Sequence, residues 1–440
     1  MALGVAGAYL PFSSAAEVEA WAPTYPNVRL LNNGHFWPWY TSRPGGTPVG
    51  DEAGNPRGFR LPTAGNGSWH SYGTIANFSA SCWFMGADLS DALGGQVPIG
   101  LIDNSAGGTS IHYWASPDAV AKCNQVTPSS NVTADGVGVL FDSMVAPLVG
   151  VALSGVAWFQ GESNNCGYHA PGAPCGGAYY ACQLRAMIED WRAKLAQPAL
   201  PFAVIELCAL ENDQWPNLRA AQQMATAGLA NTVTIPNHDL GDNGDMHSRR
   251  KAALARRQAL WMLHAALGND TQPWSGPALQ GAEVAAVGAD GVAVTLTFTS
   301  AGLHLNATAQ CAAGAPPPGG GCCGAGGSPV FLRVANSSAA DGSGWTWTRT
   351  APPTVDAGAG TLRATLANAS EVDLARVRFS YEPYPACALY SGAGGPDGAL
   401  VAEPFDVLLD AAGRATPVPV PACVFPCPEP GLPADCCGAQ

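Results

Sequence analysis

Four short apolar runs constrain the fold of this chain more than any other feature of its sequence. They span residues 98–103, 154–159, 201–207 and 232–235, and each is bounded by Gly, Pro or polar residues. Runs of this length and composition predict strands that are buried on both faces. Helical patterns lie between them, and strands that alternate with helices predict a parallel sheet in an α/β layer fold.

Apolar residues at helical spacing predict three helices between and after these strands. A buried helix over 140–149 leads into the strand at 154–159. A second helix covers 179–195, with its buried stripe formed by Leu184, Ile188 and Trp191. A third covers 248–267, with Ser248 as its N-cap. In this last helix we expect three leucines to face inward: Leu260, Leu263 and Leu267.

The pattern changes near Gly268. Residues 292–298 alternate with period two, three further strand candidates follow at 331–334, 361–366 and 377–381, and no long helical stripe appears. A length of 440 residues is also too great for one ordinary domain. We therefore predict an α/β domain over 1–268 and an antiparallel β domain over 269–440.

Charge and hydropathy exclude two classes of partner. The net charge is −13, and the one basic run, 249–251 with Arg256 and Arg257, is predicted to be the solvated face of a helix. A nucleic-acid partner is therefore not expected. The apolar stretch 137–159 is interrupted by Asp142 and Pro147, so no membrane span is predicted. Oligomeric state is left open.

The 14 cysteines and seven Asn-X-Ser/Thr sequons favour the secretory route, extracellular or lysosomal/vacuolar. Cys423 and Cys427 have no matching second pair, which favours disulfides over zinc, and no cofactor or metal is expected. The first residues, Met1 to Ala8, lack the basic start of a signal peptide. We therefore expect the true N-terminus to lie upstream.

Three polar loops follow predicted strands, namely 104–111, 160–164 and 239–247. Ligands bind outside the carboxyl ends of parallel strands, so we expect these loops to converge on one crevice. Their residues suit acyl transfer. His247 can be the base, with Asp245 or Asp242 on its other ring nitrogen. Three groups can stabilise an oxyanion: the backbone amides of Gly107 and Gly108, and the side chain of Gln160.

The blocks IGLIDNSAGGTSIHYW, GVAWFQGESN, IEDWRAKL and DMHSRRKAALARR resemble successive blocks of the sialate O-acetylesterase family, within the SGNH-type hydrolases. The resemblance implies a three-layer, flavodoxin-like α/β domain. It also implies a serine esterase that hydrolyses O-acetyl esters on sugars, so that the partner is an O-acetylated carbohydrate. Four further residues fall in these blocks, where we expect substrate contacts or support: Glu162, Asn164, Asn104 and His112.

The chain departs from the family at the nucleophile. The family's first block, Gly-Gln-Ser-Asn, is absent from the sequence, and the resemblance places it at or just before Met1, together with a central strand. The family pattern D-I-H-P-x-x-K has Ser248 in place of its proline, and His112 replaces an acidic residue. We expect residues 1–440 alone to be inactive and prone to aggregate. A non-catalytic carbohydrate-binding relative is the alternative.

Overall fold

The computed structural model describes an α/β domain and a β-rich region that follows it. The structure describes residues 20–36, 78–123, 136–165, 176–210, 215–241, 245–287, 291–308, 311, 323, 327–335, 345–367, 372–392, 398–409 and 415–417.

The parallel strands lie in two groups that are not paired with each other among these residues. β1 (Val28–Phe36) pairs with β2 (Ile99–Ala106), and β3 (Val156–Trp158), β4 (Phe202–Ile205) and β5 (Thr232–Ile235) form a three-stranded sheet. All three pairings are parallel. Each predicted apolar run therefore contains a strand, which confirms the α/β prediction. Only β4 is buried at every position, whereas Gly100 in β2 and Ala157 in β3 are exposed.

Five helices accompany these strands in the described residues: α1 (Ala80–Ala92), α2 (Pro117–Ala121), α3 (Gly177–Lys194), α4 (Trp215–Thr226) and α5 (Lys251–Leu267). Local capping explains where two of them begin. The side chain of Ser79 accepts the N–H of Cys82, and that of Ser116 accepts the N–H of Ala119. α5 ends at Leu267 and is capped by Gly268, whose φ of +62° suits a residue without a Cβ.

Strand β4 divides the core into two layers. Phe202 and Val204 pack among side chains of α3 and α4, including Ile188 and Leu218. Ala203 and Ile205 pack on the opposite side, among side chains of α1 and α5 such as Trp83, Leu254 and Trp261. Alternate residues of a strand face opposite sides of its sheet, so the sheet lies between two helical layers. The predicted stripe of α3 is confirmed, since Leu184, Ile188 and Trp191 are all buried.

Two helix predictions are wrong in their details. In place of a regular helix, residues 140–149 form a π-helical turn, Phe141–Val145, and a 3-10 turn, Ala146–Leu148, where Pro147 cannot supply a backbone N–H. Ser248 does not cap α5, because its hydroxyl donates to the Leu240 carbonyl and the cap position falls at Arg250.

The inward face of α5 also differs from the prediction. Leu263 is buried, but Leu260 is only half-buried and Leu267 is 55% exposed. The basic run is only partly a solvated face: Arg249 and Arg256 are exposed, whereas Lys251 and Arg257 are 1% and 4% exposed. Periodicity identified the helix but not its buried side, because Arg257 and Lys251 turn inward to meet groups that are distant in sequence.

Every strand after Leu267 is antiparallel to its neighbours, as predicted for a β domain. The described strands are β6 (Leu279–Val287), β7 (Gly291–Phe298), β8 (Leu303–Ala307), β9 (Val330–Ala335), β10 (Trp345–Arg349), β11 (Thr354–Asp356), β12 (Thr361–Ala367), β13 (Val372–Phe379), β14 (Cys387–Ser391), β15 (Leu400–Val401), β16 (Phe405–Leu409) and β17 (Ala415–Pro417). They form sheets in the orders β10-β9-β13-β16-β17, β11-β12-β7-β6 and β15-β14-β8. Their inner faces share one core that includes Leu296, Leu332 and Phe379.

Among the described residues, two disulfides join segments that are far apart in the chain. Cys123 pairs with Cys182 and Cys323 pairs with Cys387, at sequence separations of 59 and 64 residues. The first ties the residues after α2 to α3, and the second ties a loop of the β domain to β14. Among the described residues, none of the helices has the length and the apolar composition that crossing a membrane requires.

Candidate active site

Six of the predicted site residues line one cavity near the carboxyl ends of the parallel strands: Asn104, Gly107, Gly108, Gln160, Glu162 and His247. The cavity has a volume of about 870 Å³ and lies between β2 and β3. One end of it is lined by the loop after β2, with Gly107 and Gly108, and by the loop after β3, with Gln160 and Glu162. His247 lies at the same end, on the loop that follows β5. The topology thus brings three loops to one rim.

A histidine–carboxylate pair forms part of this rim. Nδ1 of His247 lies 3.1 Å from Oδ1 of Asp245, and the same oxygen accepts the backbone N–H of His247 at 2.8 Å. The two contacts hold the imidazole by its Nδ1 edge. The side chains are 31% and 48% exposed, so the pair is open to solvent. Asp242, the other candidate acid, lies outside the described residues.

The turn after β2 supplies backbone donors. Gly108 has a φ of +70°, which favours glycine, and Gly107 precedes it directly after the strand. Among the hydrogen bonds formed by the described residues, none uses the N–H of either glycine. Successive N–H groups in such a turn form a small anion-binding concavity.

Gln160 has a different role from the one expected. Its Nε2 donates to the carbonyl of Thr109 at 3.0 Å and to Oδ1 of Asn164 at 2.7 Å, so both amide hydrogens are in use. Tyr180 donates to its Oε1 and to its backbone carbonyl. Because both side-chain N–H groups are engaged, the side chain holds the loops after β2 and β3 together. The predicted role of oxyanion donor is therefore corrected to a structural role.

The four residues that were expected to contact substrate or to support the site differ in their surroundings. Asn164 is fully buried and receives the N–H of Ile111 at 3.0 Å. Asn104 donates to the carbonyl of Met144 at 2.8 Å. His112 is 4% exposed, and its ring packs against that of Tyr113 at 4.2 Å between centroids. Asn104 and Glu162 line the cavity, whereas His112 and Asn164 do not.

Glu162 has an environment suited to proton chemistry. Burial raises the pKa of its carboxyl, and the neighbouring His247 and Lys251 offset part of that rise. Lys251 lies beneath the site, with Nζ 5.0 Å from the centre of the Phe159 ring. The prediction missed Lys251 as a site residue, although the lysine of the family pattern D-I-H-P-x-x-K marks its position.

Two other polar residues near the site are poor nucleophiles. Cys208 is 2% exposed, its thiol donates to the Met246 carbonyl at 3.1 Å, and burial raises its pKa to about 11. It is therefore a neutral thiol at physiological pH. The hydroxyl of Ser105 donates to the carboxylate of Asp103 within the same strand. Neither hydrogen bond leads to His247.

A buried polar network anchors the loop that carries His247, and sequence reasoning missed it. Glu206, after β4, accepts the N–H groups of Asn237 and His238 and lies 2.8 Å from His238 Nδ1. Burial alone would raise the pKa of Glu206, but His238 and Arg219 lower it overall. Next to it, Asp239 accepts two bonds of 2.7 Å from Arg257.

The β domain takes part in this network. The hydroxyl of Tyr390, in β14, donates to Asp239 Oδ2 at 3.1 Å, and both residues are fully buried. Tyr381 donates to Asn217 of α4 at 3.1 Å, and Gln223 of α4 donates to the Pro404 carbonyl. The β domain is thus bonded to α4 and to the loop that leads to His247.

The described residues contain no group of three or more His, Cys, Asp or Glu side chains arranged to hold a metal ion. The chemistry available at the rim is that of a histidine–carboxylate pair and backbone N–H donors. The three-layer fold with parallel strands defines the class of fold: an SGNH-like α/β domain followed by an antiparallel β domain.

Comparisons with known proteins agree with this class. Residues 66–263 match the model of the family described as carbohydrate esterase, sialic acid-specific acetylesterase. The human sialate O-acetylesterase is 32% identical over 234 residues, which cover 47% of this chain and 42% of the human protein. The mouse sialate O-acetylesterase is 30% identical over 269 residues, covering 49% of this chain and 47% of the mouse protein.

A solved structure has the same fold over most of the chain. A carbohydrate acetylesterase from Xanthomonas citri superposes with a TM-score of 0.61 and 20% identity, covering 91% of this chain and 76% of that one. The region 66–263 belongs to the sialic acid-specific acetylesterase family of carbohydrate esterases. The matched region spans less than half the length of the mammalian relatives.

Proposed function

We propose that this chain forms the acyl-transfer site of a carbohydrate O-acetylesterase. The observation that carries the proposal is the shared rim, where His247, which is paired with Asp245, lines the same cavity as the Gly107–Gly108 turn. A base and an oxyanion site on opposite loops of one crevice are what ester hydrolysis requires.

The reaction follows from these positions. A serine hydroxyl attacks the acetyl carbonyl while His247 Nε2 takes its proton, and the N–H groups of Gly107 and Gly108 stabilise the oxyanion. The bond to the sugar oxygen breaks, and the sugar hydroxyl leaves with the proton from His247. Water then attacks the acetyl-serine through the same base, and acetate and free serine result. The serine is that of the family's Gly-Gln-Ser-Asn block, and Asp245 keeps the imidazole oriented.

The relatives support the choice of substrate. The mammalian proteins are named for O-acetyl esters of sialate, and the Xanthomonas protein for carbohydrate acetyl esters. O-acetylated sugars are therefore the substrate class, with O-acetyl sialate the first to test. Glu162, at the rim beside His247, is placed to contact the sugar.

The test uses the 440-residue chain preceded by an apolar strand that ends in Gly-Gln-Ser-Asn, called here the extended chain. Acetate release from O-acetyl sialate and from an aryl acetate is measured. We expect hydrolysis by the extended chain and a loss of several orders of magnitude in turnover for His247→Ala. His264→Ala is the matched control, because His264 stacks on Trp274 and pairs with Asp270 on the outside of α5.

Each outcome has a defined meaning. Near-normal turnover in His247→Ala removes the histidine from the mechanism. Tight binding of the O-acetyl sugar by the unextended chain, with no turnover in the extended one, favours a non-catalytic carbohydrate-binding protein.

We also propose that the protein passes through the secretory pathway. The seven sequons and the two disulfides support this route. Treatment of protein from a eukaryotic host with an N-glycosidase should increase its mobility on a denaturing gel. An unchanged mobility contradicts the proposal.

A further inference from the structure

We propose that Glu162 selects acetyl esters that lie next to a free sugar hydroxyl, and that Lys251 is the positioning residue behind this selection. The hydroxyl beside the ester donates to the Glu162 carboxylate, and the charge of Lys251 keeps that carboxylate an acceptor. The substrate class is then a partly acetylated sugar, in preference to a fully acetylated one. The inference rests on the proposed function and goes beyond it by naming what the sugar carries beside its ester.

The turn that carries Glu162 is held in place at the end of β3. Glu162 begins the 3-10 turn Glu162–Asn164, and the N–H of Asn165 closes this turn onto the Glu162 carbonyl at 3.1 Å. The hydroxyl of Ser110, from the loop after β2, donates to the Ser163 carbonyl at 2.9 Å. The side chain of Glu162 therefore starts from a fixed point of the rim, as a residue that selects substrates requires.

The carboxyl of Glu162 is an acceptor that faces the cavity. It lines the cavity and is half-buried. Among the hydrogen bonds of the described residues, none joins this carboxyl to another side chain, whereas Asp245 is engaged by Nδ1 and the N–H of His247. An ionised carboxylate can only accept hydrogen bonds, and the donors of a neutral sugar ring are its hydroxyls. A sugar hydroxyl is therefore the group that suits Glu162.

Four titratable groups act on Glu162 from the elements around it: His247 from the loop after β5, Lys251 from α5, Cys208 from the loop after β4 and Tyr180 from α3. Burial raises the pKa of Cys208 to about 11 and also raises that of Tyr180, so both are neutral at physiological pH. His247 must be neutral when it takes the serine proton. Of these four groups, Lys251 is the one that can supply a positive charge when the reaction begins.

Lys251 lies beneath the rim, closed off from solvent. It is the first residue of α5 and is 1% exposed, and its Nζ lies 5.0 Å from the centre of the ring of Phe159, which also lines the cavity. The dipole of a helix opposes a cation at its N-terminus, so a nearby anion must compensate this charge. Burial raises the pKa of the Glu162 carboxyl, and Lys251 offsets part of that rise. Without Lys251 the carboxyl would hold its proton more readily and would donate instead of accepting.

A ratio of two kcat/KM values tests the selection. O-acetyl sialate is compared with its counterpart in which hydrogen replaces the hydroxyl next to the ester, with the extended chain as the enzyme. We expect a ratio of about 10 to 100 in favour of the hydroxyl form, the range of a hydrogen bond to a charged group. In Glu162→Ala this ratio should fall to about 1, because the acceptor is gone.

The matched control is Glu189→Ala, which removes a carboxylate from the exposed side of α3, where it pairs with Arg185. This variant should keep the parent ratio. A parent ratio near unity overturns the proposal, and so does a ratio that Glu162→Ala leaves unchanged.

Two variants separate the charge of Lys251 from its bulk. The ratio should fall toward unity in Lys251→Met and should be retained in Lys251→Arg, since arginine restores the charge. A lysine that only supports packing would lower kcat/KM for both esters together and leave their ratio unchanged, which overturns its positioning role. Lys194→Met is the control, because Lys194 pairs with Asp118 and Asp190 on α3.

A nuclear magnetic resonance measurement tests the charge directly, even if Lys251→Met does not fold. The extended chain is labelled with carbon-13 at the carboxyl carbon of its glutamate side chains, and the Glu162 signal is identified by its loss in Glu162→Gln. Its chemical shift near neutral pH should be that of a carboxylate. The chemical shift of a protonated carboxyl overturns the proposal.

Binding of the same two esters separates this inference from the proposed function. Calorimetry gives their affinities for the extended chain in which the serine of Gly-Gln-Ser-Asn is replaced by alanine. Turnover in the serine form with equal kcat/KM for the two esters refutes this inference alone. Absence of turnover on every acetyl ester refutes the esterase mechanism, and the affinities then decide. A preference of at least about tenfold for the hydroxyl form supports the contact with Glu162, and equal affinities overturn it.

Discussion

At the scale of single residues, the site depends on side chains that hold loops as much as on those that do chemistry. Gln160 uses both hydrogens of its amide to join Thr109 and Asn164, and the Asp239–Arg257 pair fixes the start of the loop that ends at His247. Buried polar groups of this kind stabilise one arrangement only when every partner is present. Removing one partner therefore changes geometry and stability together.

Gln160→Ala tests whether the Gln160 side chain holds the loops after β2 and β3 together. Loss of the amide removes the donor that Gln160 gives to the Thr109 carbonyl and leaves Asn164 Oδ1 with the Ile111 N–H alone, which costs on the order of 1–3 kcal/mol. We expect the free energy of unfolding by urea to fall by that amount even in the unextended chain. A residue that acts only as an oxyanion donor would lower turnover and leave the unfolding midpoint unchanged.

Asp239→Asn tests the buried ion pair through its pH dependence. Burial opposes ionisation of Asp239, but Arg257 and the hydroxyl of Tyr390 lower its pKa below the ordinary value. The pKa of Asp239 in the unfolded chain is about 3.9, and its pKa in the folded protein is lower. The ion pair therefore stabilises the fold fully above the unfolded-state pKa, and this stabilisation is lost as the pH falls through the folded-state pKa. The variant should therefore be least stable relative to the parent near pH 7, and the gap should narrow below about pH 4. A gap that is independent of pH contradicts this account.

At the scale of elements, the helices are held by links that their own periodicity does not show. The Cys123–Cys182 disulfide joins the short helix α2 to α3, whose side chains form much of one core layer. The α2 helix has only five residues, Pro117–Ala121, so it depends on this link and on packing more than on its own hydrogen bonds.

Replacing both cysteines, Cys123→Ser with Cys182→Ser, should lower the free energy of unfolding. Closing a loop of 59 residues removes chain entropy from the unfolded state, a contribution of about 4 kcal/mol in the loop-entropy model. The melting temperature of the double variant, compared with that of the parent under oxidising conditions, measures it. The parent treated with a reductant should approach the variant, and no difference between the two proteins would contradict the assignment.

At the scale of the whole molecule, the β domain is bonded to the loop that carries part of the candidate site. Tyr390 reaches Asp239, and from there the loop continues to Asp245 and His247. The two domains are therefore coupled through a buried hydrogen bond and not only through surface contact.

Tyr390→Phe tests this coupling against Tyr381→Phe as its matched control. Both changes remove one hydroxyl that bonds the β domain to the α/β domain, but only Tyr390 bonds to the loop before His247. We expect amide exchange over 236–248 to rise several-fold in Tyr390→Phe and to stay near the parent rate in Tyr381→Phe. Equal effects of the two variants would mean that the β domain stabilises this loop only through the contact between the two domains as a whole, and not through the Tyr390 hydroxyl.

Sequence by itself determined the features that depend on neighbouring residues. The apolar runs predicted β2 to β5, and the stripe of Leu184, Ile188 and Trp191 predicted α3, because strand and helix periods are local properties. The loops after those strands predicted which residues would meet, since parallel strands bring their carboxyl ends to one edge. His247, Asp245 and the two glycines followed from that rule.

Only the tertiary structure decided which side chains act and which support. The side-chain amide of Gln160 donates both of its hydrogens, to Thr109 and to Asn164. Arg257 is buried against Asp239, and Leu267 lines a cavity instead of packing in a core. Gln160 depends on Thr109, which is 51 residues away, and Arg257 depends on Asp239, which is 18 residues away. The exposure of Leu267 depends on the cavity that it lines. A hydrogen bond or a buried charge is set by where its partner lies in space, and periodicity along the chain carries no record of that.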